Sequence, residues 1–140
     1  MCSVSFASEQ TDFTISNQKH LIEWLTKVAL SEKKPLSELA FIFCSDDYLL
    51  DINKRFLSHD YYTDVITFDY SDPEHTSGDV FISTDRVAYN AKSANQSIDT
   101  ELHRVMVHGL LHLLGYKDKS EAEKSEMTSK EDFYLALRAF

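Results

Sequence analysis

HGLLHLLGYKD, residues 108–118, places two histidines, a glycine and an aspartate at the end of a leucine-rich run. Leu110, Leu111, Leu113 and Leu114 mark the apolar end of a helix that must bury itself against a core. Gly115 is the residue expected just past such a helix, where a left-handed backbone turns the chain back. His108 and His112 stand four residues apart, so on a helix they share one face, one turn apart. Asp118 follows, and the reversal at Gly115 lets it reach the same point. Two imidazoles and a carboxylate suit zinc, with bonds of roughly 2.0–2.2 Å, and three protein ligands leave one coordination position open for water or substrate. The spacing also fits a core helix that carries two histidines, with Asp118 a solvated turn residue. The glycine stop and the placed carboxylate favour the metal. Zinc proteases of the H-E-x-x-H type carry a glutamate base inside the motif. Here that position is Gly109, which disfavours peptide hydrolysis.

Outward from this segment the periodicities alternate between helix and strand. Residues 2–7 read as a short strand, and Ser16 as the cap of a helix bearing Leu21, Ile22, Leu25, Val28 and Ala29. ELAFIFCS (38–45) is an apolar run of strand length, and DDYLLDINKRFL (46–57) an amphipathic helix with acids in its first turn. DVITFDY (64–70) and GDVFIST (78–84) flank a loop dense in turn formers, which predicts antiparallel neighbours. TDRVAYNAKSAN (84–95) reads as a helix starting near Thr84 or Asp85. A turn around Ser97 to Asp99 precedes the long helix, expected from about Thr100 to Leu114, and Ser120–Phe140 reads as a final amphipathic helix. Strands and helices mix without strict alternation. The expected class is α+β: a single domain over residues 1–140, one mixed sheet of about four strands packed with about five helices.

Composition narrows the function classes. No apolar run approaches the roughly 20 residues needed to span a bilayer, and the first residues lack the basic start and apolar stretch of a signal peptide. Cys2 and Cys44 form no C-x-x-C pair and read as reduced thiols. A cytoplasmic protein with no membrane partner is expected. The net charge of −9 at first opposes a nucleic-acid partner. Yet residues 86–124 hold six basic against five acidic side chains, so that stretch is +1 and the remainder −10. Charge alone neither supports nor excludes RNA.

HGLLHLLGY resembles the signature of the YbeY family of bacterial rRNA maturation factors. Asn53, TDVITF (63–68), GDVFIS (78–83) and Glu101 also fall where that family has similar segments. The resemblance implies one zinc per chain, held by His108, His112 and Asp118, and a single-strand-specific endoribonuclease activity. It further implies a role in maturing the 3′ end of small-subunit rRNA and in ribosome biogenesis, with rRNA and the small subunit or its assembly factors as partners. Two residues depart from the family pattern. Asp118 stands where a histidine is usual, which lowers the charge of a bound cluster by one. Leu57 stands where the family carries an arginine, which leaves Arg55 or His59 to contact phosphate.

Asp79, Arg55 and Arg104 are the remaining candidates for catalytic roles. Asp79 lies on a strand beside the expected site, and Arg104 one turn before His108. Thr63 and Asp64 read as turn formers, and His20 and His75 as structural. Two rival functions stay open: a non-catalytic ribosome-assembly factor with a structural zinc, and a metal-dependent hydrolase of another substrate.

Overall fold

The structure, a computed structural model, describes residues 3–140. Its elements run β1 (Ser3–Glu9), α1 (Gln18–Ser31), β2 (Leu36–Cys44), α2 (Asp46–Leu57), β3 (Val65–Asp69), β4 (Thr76–Ser83), α3 (Thr84–Ser93), α4 (Ile98–Leu113) and α5 (Glu121–Ala136). One mixed sheet has the order β1-β2-β4-β3. β1, β2 and β4 are parallel, and β3 runs antiparallel to β4, with Val65 opposite Ile82.

Pleating sorts the strand residues between two layers. Leu39, Phe41 and Phe43 of β2 join Val80 and Ile82 of β4 in the main core, against Leu21 and Leu25 of α1, Met106, Leu110 and Leu113 of α4, and Tyr134 of α5. The opposite face carries a smaller cluster of Cys44, Leu49, Ile52 and Ile66, packed with Phe68 and Phe81 and covered by α2. Buried on that face, Cys44 is a free thiol, and burial together with nearby Asp46 pushes it up to about 12. Cys2 lies outside the described residues.

Caps explain most of the boundary differences. The long helix begins at Ile98, because the Ser97 hydroxyl accepts from the Thr100 amide; Asp99 therefore lies in the first helical turn and not in a loop. Ser83 caps α3, which begins at the expected Thr84 and ends at Ser93, two residues short of the expected Asn95. Ser120 and Glu123 form a reciprocal capping box on α5, which stops at Ala136, short of the expected Phe140. Ser16 does not cap α1: Asn17 does so in a left-handed conformation, without a side-chain bond. β4 begins two residues earlier than expected, because Thr76 is held by the Pro35 carbonyl through its amide and the Lys34 carbonyl through its hydroxyl.

His103 faces inward from α4, between Trp24 and Phe140. Its Nδ1 accepts from the Arg138 guanidinium at 2.7 Å. Burial, with Arg138 adding to it, lowers this imidazole to about 4. The unfolded chain takes up this proton near pH 6.5, so the contribution is complete above that pH and lost as pH falls toward 4. Between pH 7 and 4.5 the loss is about 2–3 kcal/mol by linkage. In urea titrations at the two pH values, His103→Gln is expected to lose less stability than the wild type; an equal loss would place the effect elsewhere.

Candidate metal centre

His108 and His112 project from the last two turns of α4, whose apolar side is locked into the sheet. The chain reverses just beyond them. Tyr116 N–H bonds to the Leu111 carbonyl and Gly115 N–H to the His112 carbonyl, the pair of bonds of a Schellman ending. Gly115 sits at φ 108 with open space around its α-carbon, so what excludes other residues there is backbone strain and not crowding. Asp118 thereby returns to the histidines.

The three donor atoms form a nearly equilateral triangle. His108 Nε2 and His112 Nε2 are 3.0 Å apart, and Asp118 Oδ2 is 3.4 Å from the first and 3.3 Å from the second. Ligands at zinc bond lengths and tetrahedral angles stand about 3.3–3.6 Å apart, so the triangle is one slightly contracted face of such a tetrahedron. Both outer ring nitrogens are engaged. His108 Nδ1 lies 2.6 Å from Glu131 Oε2, and His112 Nδ1 lies 3.0 Å from the Tyr116 carbonyl. Those acceptors put the ring proton on Nδ1 and turn both Nε2 lone pairs toward each other. Two facing lone pairs at 3.0 Å require a cation or a proton between them. The titration behaviour fits. Burial disfavours the charged form of both rings, but Glu131, Asp118 and Asp64 outweigh it at His108 and raise that group. Burial and the charge on His108 lower His112. His108, His112 and Asp118 can hold a metal ion.

Glu131 was not legible as a site residue, yet it fixes the His108 tautomer. It reaches the site from α5, with a side chain only 9% exposed, and Arg104 Nη1 neutralises it at 2.9 Å. Its signal lay in the stripe Met127, Glu131, Tyr134, Leu135, where an acid occupies a position that packing reserves for apolar side chains. Arg104, expected to face the cleft, instead spans Glu131 and Asp132; it supports the carboxylate behind His108. Tyr116 is braced in the same way, its hydroxyl donating to Glu32 at 2.6 Å.

A cleft of about 310 Å³ opens over the donors, lined among others by Asn53, Leu57, His59, Tyr61, Asp64 and Lys119. Burial raises the Asp64 carboxyl, with His108 and two backbone amides opposing. Asp64, read as a turn former, thus faces the donors. His59 lines the cleft, but Arg55 does not: it pairs with Asp51 at 3.2 Å on an exposed face of α2. Asp79 is likewise elsewhere. Gly78 and Val80 face α4, so pleating turns Asp79 to the other face, beside Tyr70 and Glu38.

Two expected outcomes follow from this geometry. Glu131→Gln, which keeps shape and removes the charge behind His108, should weaken zinc binding roughly 10- to 100-fold in chelator competition; unchanged affinity would mean that Glu131 does not tune the ligand. Gly115→Val should misplace Asp118 and also lower zinc affinity, since a β-branched residue resists positive φ. Wild-type affinity in that variant would show that Asp118 reaches the ion by another route.

An α+β domain with a histidine–histidine–carboxylate triangle at the end of a core helix, under an open cleft, defines a class of small metal-binding proteins. A family model described as endoribonuclease YbeY matches residues 3–138. The chain is 49% identical to the endoribonuclease YbeY of Cytophaga hutchinsonii, covering 99% of this chain and 97% of that protein. It is 47% identical to that of Flavobacterium johnsoniae, covering 91% and 92%. The solution structure of TM1509 from Thermotoga maritima superposes with a TM-score of 0.66 at 26% identity, covering 94% of this chain and 86% of that one. The chain belongs to the endoribonuclease YbeY family. Among the described residues, no helix is long and apolar enough to cross a membrane.

Proposed function

We propose that this chain is a zinc-dependent endoribonuclease of single-stranded RNA, acting in the cytoplasm on the 3′ end of small-subunit rRNA and in ribosome biogenesis. The observation that carries the reading is the donor triangle, with both outer imidazole nitrogens engaged and its free side toward the cleft. Two nitrogens and one carboxylate oxygen at these spacings suit zinc, with His108, His112 and Asp118 as its ligands in a single domain spanning residues 1–140. A zinc ion held there would polarise a phosphoryl oxygen and acidify a water.

The chain supplies the rest. Lys119 and His59 border the cleft and can contact the phosphate backbone. Asp64 offers a carboxyl at the donors that can take up a proton. Glu131 and the Tyr116 carbonyl hold the two imidazoles in one tautomer throughout. The cleft volume suits one small unit and not a stacked duplex, which favours a single strand. Leu57, apolar where the family carries a guanidinium, lines the same cleft; it favours the second reading, an assembly factor whose zinc is structural.

The test uses an RNA that carries the small-subunit 3′ end as a single-stranded tail. Cleavage within the tail is expected, lost on chelation and restored by zinc. Cleavage that survives complete removal of metal would overturn the metal-dependent reading. An intact tail in the presence of fully zinc-loaded protein would favour the assembly factor.

A further inference from the structure

We propose that Tyr61, backed by His59, is a stacking platform for one base of the RNA strand, positioned so that the neighbouring phosphate enters the metal cleft. This rests on the endoribonuclease reading above. Both residues line the cleft that contains His108, His112 and Asp118. Their rings stack at 5.1 Å with 19° between planes, and the Tyr61 hydroxyl and His59 Nδ1 are 2.9 Å apart. The pair therefore forms one aromatic unit, and Tyr61 is still 55% exposed.

The loop under it is fixed before any ligand arrives. Asn53, 2% exposed, donates from Nδ2 to the Tyr61 carbonyl at 2.9 Å. The Asn53 carbonyl in turn accepts the His59 amide at 3.1 Å, across Ser58 in a left-handed conformation. A buried amide side chain is thus used to hold the backbone of an exposed tyrosine. Its neighbour Tyr62 is committed elsewhere, donating to Asp47 at 3.1 Å with the Arg86 guanidinium 5.5 Å from its ring. Among the described residues, the Tyr61 ring is bonded and stacked only with His59.

Unstacked bases of single strands bind on exposed aromatic faces, whereas duplex bases are hidden from them. A ring already stacked and hydrogen-bonded at the edge of the cleft sacrifices less conformational entropy when a base lands on it than a free one would. The cleft has Lys119 to meet the backbone, and Leu57 on its wall brings no charge to it. With one lysine among the lining side chains, stacking adds affinity that charge alone does not supply.

The experiment measures anisotropy of a short, labelled oligoadenylate with 2′-O-methyl sugars on the zinc-loaded full chain. Tyr61→Leu, apolar but without a π face, should weaken binding roughly 5- to 150-fold, with zinc content and melting temperature unchanged. Tyr61→Phe should retain most of the affinity. In the wild type, removing the base from one nucleotide should weaken binding, and the same removal should cost Tyr61→Leu far less. Equal binding by wild type and Tyr61→Leu, or no binding by the wild type, would overturn the platform. If the platform holds but the wild type cleaves no RNA, the endoribonuclease reading fails and the binding surface stands.

Discussion

His112→Ala is expected to hold no zinc at stoichiometric concentration and to cleave single-stranded RNA at least about a thousandfold more slowly than the wild type. His112 supplies one corner of the donor triangle, 3.0 Å from His108 Nε2 and 3.3 Å from Asp118 Oδ2. Removing a ligand costs more than the roughly 10- to 100-fold that loss of an outer partner costs. Metal stabilisation of a phosphoryl transition state is worth several kcal/mol, and each ~1.4 kcal/mol is tenfold in rate. His112 is a quarter exposed by its side chain, and its replacement leaves the leucines of α4 in place. The variant should therefore fold, with an unchanged circular dichroism spectrum. A folded His112→Ala protein that cleaves at the wild-type rate would remove the triangle from the chemistry.

Gly109→Val is expected to lose fold stability and, with it, zinc binding. Gly109 lies one residue after His108, where α4 crosses the sheet. A Cβ added there would sit 2.7 Å from Val80 Cγ1, 3.3 Å from Val80 Cγ2 and 3.6 Å from Thr67 Cγ2. Val80 is fully buried, and its branched side chain is restricted at χ1, so it has little room to swing aside. α4 must lift instead. Overpacking of this kind costs about 3 kcal/mol or somewhat more, a fall in Tm of roughly 10 °C for a chain of this size. An unchanged Tm would show that the helix and β4 are not in the contact described. The same crowding fits a glycine, and not the glutamate of zinc proteases, at the position that follows the first histidine. A longer side chain there would have to displace the sheet.

Local signals were legible where one residue type has one physical use. The i, i+4 histidines, the glycine stop and the returning aspartate named the three side chains that the structure brings together, and the period-two runs named β3 and β4 as antiparallel neighbours. DDYLLDINKRFL reads as α2 over the same twelve residues that the structure makes helical. What escaped was long-range. Glu131 lies 23 residues from His108, and nothing local says which helix its carboxylate will meet. Arg104 and Asp79 were misplaced by face. Arg104 shares α4 with the ligands but meets α5, and a one-residue step along β4 turns Asp79 away from the helix. Asp64 reads as a turn former because its role depends on β3 lying beside α4.

The most direct test of the central claim is a zinc titration of chelator-treated protein, following bound metal and RNA cleavage together. Cleavage should rise in proportion to bound zinc and stop rising at one ion per chain, and His112→Ala should show neither. Full cleavage before any zinc is bound, or one tightly bound zinc with no cleavage at any RNA concentration, would contradict the account.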